Sequence, residues 1–317
     1  MTRTDTARAS LLSHTQALLH AHGLRPLRRR GQNFLVDPGV RDRIVAAAGL
    51  SSESLVVEIG PGTGILTEAM LRTGASVLAV ELDRALIRLL SERLAGNPRF
   101  TIRSADALEF DFAQALHDDP RRGRALVVAN IPYYITTPLI LRLVRQRDLF
   151  ESLFLTVQRE VAERLTAAPG RKSYGSLTLA CQYRASVRSV VAIPRTAFHP
   201  VPEVDSALVR FDLLDAPRVR VAEPARLFAV IRAAFGVRRK TLRNALCRAG
   251  WPARDVETAL DRVAVAAMRR GETLTLDEFA RLSEALPART SRDRAPGGDT
   301  DPGDDEETES GGFTKRP

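Results

Sequence analysis

The chain has little cysteine: two residues in 317, Cys181 and Cys247, far apart in sequence. Both sit in apolar helical patterns, so buried free thiols are expected rather than a disulfide or a metal site, and redox chemistry is not indicated. No run approaches the roughly 20 uninterrupted apolar residues of a membrane span, and residues 1–10 lack the apolar core of a signal peptide. These absences lead us to expect a cytoplasmic protein without membrane contact. Internal repeats are lacking too. What is present is ordinary for a globular protein, 44% hydrophobic and 27% charged, at a length that suits one large domain plus a smaller one.

The net charge of +9 hides an asymmetry. Beyond residue 294, seven acids (Asp299, Asp301, Asp304, Asp305, Glu306, Glu307, Glu309) face only Lys315 and Arg316, a local charge of −5 that leaves the body at +14. A body that basic suits a polyanionic partner, because phosphate neutralisation with counterion release drives nucleic-acid binding. An arginine-rich genome would give the same total, and composition alone leaves the two readings even.

Residues 1–24 carry one helical pattern ending at Gly23, with Leu11, Leu12, Leu18 and Leu19 on an apolar face, and form an appendage. From residue 41 helix and strand alternate. Helices are expected at 41–48, 66–72, 84–94 and 138–145, and strands at 55–59, 76–80, 100–103, 125–129 and 152–157. The unbroken apolar runs Leu55-Val56-Val57, Val77-Leu78-Ala79-Val80 and Leu126-Val127-Val128 are those of strands covered on both faces, so the sheet is doubly wound and mostly parallel. Strands at 186–193 and 206–211 suit an antiparallel pair at one edge. From about 223 to 286 every periodic segment is helical. Beyond Pro287 the composition turns to Gly, Pro, Thr, Ser and acid, and is expected to be disordered. The domains are thus 1–24, 25–215, a helical 216–288 and a tail from 289.

The first expected strand runs into Glu58-Ile59-Gly60-Pro61-Gly62-Thr63-Gly64 and then a helix. Glycines at alternate positions let the backbone turn tightly and approach a ligand, as at nucleotide sites of doubly wound folds. A dinucleotide fingerprint would need glycine where Ile65 stands, and a P-loop would need a Lys-Ser/Thr pair that is missing. The G-x-G-x-G form of Gly60, Gly62 and Gly64 resembles the loop of class I methyltransferases, which lies against the amino-acid portion of S-adenosylmethionine. Glu81, ending the next strand about 20 residues on, can accept both ribose hydroxyl protons, whereas Asp83 suits a helix N-cap. Asp106 ends the third strand, where it can accept from an adenine amine or cap a short helix.

The fourth strand leads into Asn130-Ile131-Pro132-Tyr133. An aromatic amine such as adenine N6 is a poor nucleophile because its lone pair is delocalised into the ring. Acceptors on its hydrogens favour the pyramidal form, and the Asn130 side-chain oxygen and Ile131 backbone carbonyl can supply them without a strong base. Pro132 restricts Ile131 to an extended conformation, and Tyr133 offers a face for stacking. Such acceptors also favour positive charge developing on nitrogen.

In order along the chain, GQNFL at 31–35, the loop at 58–64, NIPYYITTP at 130–138, FHPVPEVDSA at 198–207 and RRKTLRNAL at 238–246 resemble the ribosomal RNA adenine N6,N6-dimethyltransferase family. The likeness covers about 25–285 and is greatest to the bacterial small-subunit (16S) type. The family usually has leucine where Ile131 stands, a change that spares the carbonyl. The resemblance implies a Rossmann-like S-adenosylmethionine methyltransferase sheet with a small C-terminal all-helical domain. It implies cofactor contacts at Asn33, Leu35, Gly60, Glu81, Asp106 and Asn130, with Tyr133 at the target base, and S-adenosylhomocysteine as product. Phe198 is either a second wall of the base pocket or core. The implied reaction dimethylates two adjacent adenosines in a hairpin loop near the 3′ end of 16S rRNA, within the immature small subunit, by a monomer that needs no metal. Arg25 with Arg28, Arg29 and Arg30, and Arg238, Arg239, Lys240 and Arg243, form two basic clusters for RNA phosphates, although charge runs are also simply solvated faces. The target base must lie in a loop or be flipped. Three other readings compete: erythromycin-resistance-type modification of 23S rRNA, a ribosome-assembly factor acting by binding, and, least supported, a dinucleotide oxidoreductase.

Overall fold

The computed structural model describes residues 3–26, 31–117, 123–237 and 239–288. Arg28, Arg29, Arg30, Arg238 and the expected acidic tail lie outside the described residues. The chain divides into two compact units, one of residues 1–166 with 185–215, the other of 167–184 with everything from 216.

The first unit starts with helix α1 (Arg3–Ala21), the two-residue strand β1 (Phe34–Leu35) and helix α2 (Pro38–Ala48). Asp37 caps α2 by accepting from the Val40 amide at 3.0 Å, with Pro38 in the first turn and Gly49 closing it at φ 63°. Then come β2 (Leu55–Ile59), α3 (Ile65–Arg72), β3 (Ser76–Glu81), α4 (Arg84–Arg93), β4 (Phe100–Ser104), α5 (Phe112–His117), β5 (Ala125–Asn130), α6 (Thr136–Val144), β6 (Phe150–Gln158) and α7 (Arg159–Leu165). The second unit interrupts with α8 (Ser176–Arg184), and the first resumes with β7 (Ala185–Ile193), β8 (Phe198–His199) and β9 (Ser206–Leu213).

Seven strands lie in the order β4-β3-β2-β5-β6-β9-β7, with β8 pairing β1 separately. The five from β4 to β6 are parallel; β9 runs antiparallel between β6 and β7. The expected antiparallel pair at the sheet edge is therefore β7 and β9. The unbroken apolar runs are buried as strands covered on both faces require: Val56, Val57 and Val127 are fully enclosed. On one face, Val40 and Ile44 of α2 and Leu66 and Met70 of α3 pack on Val56, Val77, Val128 and Phe154. After β2 the chain steps outward to β3 and β4, then returns to β5 on the other side of β2. The strand order thus reverses between β2 and β5, and the crevice at their carboxyl ends is where a doubly wound sheet takes a ligand.

The second unit adds α9 (Pro224–Phe235), α10 (Leu242–Arg248), α11 (Ala253–Arg262) and α12 (Leu276–Ala285). Residues 167–184 belong to it, which corrects the expected 25–215 domain. The cause is packing: Tyr183 meets Phe228 edge-on at 5.2 Å, and the buried Tyr174 hydroxyl donates to the Leu274 carbonyl at 2.9 Å. Cys181 is enclosed in α8 and its thiol is pushed up to about 12 by burial, whereas Cys247 is only half-buried, against expectation. Among the described residues no helix is long and apolar enough to cross a membrane.

Candidate active site

One cavity lies at the crevice, lined by the β2–α3 loop, the ends of β3 and β4, the turn after β5 and the segment 31–35. The β2–α3 loop carries three glycines in the left-handed region, Gly60 at φ 67°, Gly62 at 59° and Gly64 at 84°. They serve different ends. A Cβ on Gly60 would meet nothing nearer than the Asn130 carbonyl at 3.9 Å, so conformation alone demands glycine there. A Cβ on Gly62 would stand 3.0 Å from the Phe34 ring, and one on Gly64 would strike Leu90 of α4 at 2.5 Å. Gly60 and Gly62 line the cavity; Gly64 does not, and its place is to bring α3 against α4.

Glu81, at the end of β3, turns its carboxylate back on its own strand end: Oε1 accepts from the Leu82 amide at 2.9 Å and the Asp83 amide at 2.8 Å. Burial holds its pKa above the ordinary value, partly countered by those amide donors. Asp83 caps α4 by accepting from the Ala85 amide at 3.0 Å and also accepts from Gln32 Nε2 at 3.3 Å. Asp106 lines the cavity just past the end of β4, and its Oδ1 accepts from the Leu108 amide at 2.8 Å within a turn, not at the start of a short helix, since the next helix begins at Phe112. Beneath them lies an acid that the sequence did not single out. Glu58 of β2 is enclosed, accepts from Thr67 Oγ1 at 2.6 Å, and is pushed up to about 8, chiefly by burial, with the nearby Glu81 adding to the shift.

Asn130 ends β5 with its Nδ2 donating to the Asn33 carbonyl at 3.0 Å. That bond uses one of the two amide hydrogens and fixes the orientation of Oδ1, the acceptor of the same amide. Asn33 is itself steadied by donating to the Gly31 carbonyl at 3.1 Å. Ile131 is buried, and its amide donates to Thr156 of β6 at 3.3 Å; Pro132 follows at φ −58°, ψ 133°. Tyr133 opens a short 3₁₀ turn, half-buried, its hydroxyl 3.1 Å from Ser206 Oγ. Burial raises the Tyr133 pKa, with the Ser206 bond pulling against it. Ser206 starts β9, 73 positions away, and no local pattern marks it as Tyr133's partner.

Leu35 lines the cavity and is also core. Phe198, offered as base wall or core, is core: it is 2% exposed among Leu35, Val40, Ile44 and Ala197 and does not line the cavity. In the second unit, Arg239 and Lys240 are exposed, and Arg243 Nε lies 2.6 Å from Glu257 Oε1 of α11.

Glycines at the end of one parallel strand, carboxylates at the next two and an Asn-Ile-Pro-Tyr turn at the fourth, all facing one crevice, make this protein a class I S-adenosylmethionine-dependent methyltransferase. The residues suit that cofactor: side chains are missing where Gly60 and Gly62 floor the cavity, and two rim acids offer acceptors for hydroxyl and amine donors.

The chain belongs to the ribosomal RNA adenine dimethylase family, whose model matches residues 26–286. It is 44% identical over 277 residues to the ribosomal RNA small subunit methyltransferase A of Pelotomaculum thermopropionicum, covering 85% of this chain and 94% of that one. The protein of the same name from Shouchella clausii is 41% identical, with 86% and 94% covered. Among solved structures, a dimethyladenosine transferase from Plasmodium falciparum superposes with a TM-score of 0.67 at 26% identity, covering 78% of this chain and 95% of that one. The 23S rRNA methyltransferase ErmE gives 0.63 at 29%, with 80% and 99% covered. The protein is thus a methyltransferase of ribosomal RNA.

Proposed function

We propose that this chain dimethylates N6 of two adjacent adenosines in a hairpin loop near the 3′ end of small-subunit (16S) rRNA, acting as a cytoplasmic monomer on the immature subunit. The observation that carries the reading is the Asn130 amide, whose donor is tied to Asn33 so that its acceptor is free to meet an amine. The Ile131 carbonyl supplies the second acceptor, Pro132 holds it extended, and Tyr133, anchored by Ser206, stacks on the base. S-adenosylmethionine supplies a sulfonium-bound methyl. That methyl would pass to the amine nitrogen with the cofactor leaving as S-adenosylhomocysteine and a nitrogen proton going to solvent; a second round would give the dimethylamine. Asn33, Leu35, Gly60, Gly62, Glu81 and Asp106 hold the cofactor. Arg239 and Lys240 of the helical unit, with Arg28, Arg29, Arg30 and Arg238, neutralise RNA phosphates.

The 44% identity to a small-subunit enzyme supports that target over the large-subunit one that the likeness to ErmE would suggest. The test is transfer to purified, undermodified small subunits by wild type and Glu81→Ala, followed by mass spectrometry of the nucleosides. Dimethyladenosine from wild type alone is expected. No transfer by either protein would sink the catalytic reading in favour of an assembly factor, and monomethyladenosine alone would overturn dimethylation.

A further inference from the structure

The family match begins at residue 26, so α1 lies before it, yet α1 packs on the wall of the cavity. Leu19, 4% exposed, forms one apolar cluster with Phe34 and Leu86, both of which line the cavity. Phe34 in turn lies beside the loop, close enough that a Cβ placed on Gly62 would stand 3.0 Å from its ring. Contact therefore runs without a break from α1 to the glycine floor. The helix is finished for this purpose: Gly23, at φ 64°, donates to the His20 carbonyl, and Leu24 donates to the Leu19 carbonyl at 2.8 Å while packing on the same cluster. Its two ends are tied to the two segments that carry the wall. Arg8 donates to the Thr196 carbonyl just before β8, the partner of β1 and so of Phe34. His22 Nε2 lies 3.5 Å from Glu92 of α4, the helix that carries Leu86.

We propose that α1 is the outer wall of the cofactor site and that Leu19 is a positioning residue, setting S-adenosylmethionine affinity through Phe34 and Leu86 without touching the reacting atoms. This rests on the cavity being the cofactor site. Removing the Leu19 side chain leaves Phe34 and Leu86 free to relax outward, loosening the wall before the ligand arrives, so the loss falls on binding rather than on the transfer step. Coupling is reciprocal, so the cofactor must also steady α1.

Calorimetric titration with S-adenosylmethionine should show Leu19→Ala weakened by about tenfold, Leu19→Met close to wild type, and kcat at saturating cofactor unchanged. Hydrogen exchange of the unmutated chain gives a second readout that no folding defect can obscure: the cofactor should slow exchange of the last two turns of α1. Equal affinity of Leu19→Ala and wild type, a fall in kcat with affinity retained, or exchange in α1 indifferent to cofactor would overturn the proposal. Wild type that binds no S-adenosylmethionine would instead remove the cofactor assignment itself.

Discussion

Replacing Asn130 by alanine removes two interactions whose effects fall on different observables. The 3.0 Å bond from Nδ2 to the Asn33 carbonyl is a ground-state contact. Its loss, with that carbonyl left partnerless on this side, costs about 1–3 kcal/mol of stability. The Oδ1 acceptor is most valuable as the amine nitrogen turns positive, and removing one preorganised group aimed at developing charge costs about 10²–10³ in kcat. Asn130→Asp tests the orientation separately. It keeps an acceptor for the amine but sets an oxygen against the Asn33 carbonyl, so like partial charges face each other where a hydrogen bond stood. Single-turnover transfer at saturating cofactor, with RNA affinity measured in parallel, should find both variants slower by about a hundredfold or more and RNA affinity little changed. Asn130→Ala within about tenfold of wild type would refute the acceptor role. Asn130→Asp at the wild-type rate would refute the claim that donation to Asn33 is what aims the amide.

Ser206→Ala frees the Tyr133 hydroxyl and should cost about 0.5–1.5 kcal/mol, seen as a raised KM for RNA; Tyr133→Phe should match it and the double variant add nothing, which a double-mutant cycle checks. Gly62→Ala meets both a positive φ and the Phe34 ring, while Gly60→Ala meets only the former, so Gly62→Ala should lose more cofactor affinity and more thermal stability in parallel titrations and melts. Glu58, pushed up to about 8 from 4.5, holds its proton more tightly folded than unfolded, so its contribution to stability is full below about pH 4.5 and lost as pH rises through about 8; denaturant titrations across that window should show a flatter pH dependence for Glu58→Gln. Asp106→Asn keeps an oxygen for the Leu108 amide but turns the other atom into a donor, so cofactor binding should fall by about tenfold while the melting temperature holds.

The central strands could be read from sequence because burial on both faces leaves an unbroken apolar signature, as in Val56-Val57 and Val127-Val128. The same burial hides helices. In α8, Leu177 to Cys181 and Tyr183 are all enclosed, so no polar face fixes its bounds, and although an apolar helical pattern around Cys181 was legible, its allegiance to the second unit was not. Strand β8 is two residues long and owes its existence to β1, more than 160 positions away, so Phe198 stayed undecided between pocket and core. The glycine loop, Glu81, Asp106 and Asn130 were legible because each sits at a strand end, and in a doubly wound sheet strand ends share one rim. Their partners were not: Ser206 beneath Tyr133 and Glu257 beside Arg243 are set by tertiary approach, which a motif does not encode.

For the rim acids Glu81 and Asp106, bonding to the local backbone and contact with a ligand are compatible once the acceptors are counted. A carboxylate has about four lone-pair sites. Glu81 uses part of that capacity on the Leu82 and Asp83 amides, and Asp106 uses part on Leu108. These bonds fix the side chains at the strand ends, so that a ligand meets carboxylates already aimed and need not order them itself. Asn130 follows the same logic through its amide, with Nδ2 bound to the protein and Oδ1 left to work. In each case the local hydrogen bond is what makes the remaining acceptor dependable, so evidence for a structural role at these positions strengthens the functional one.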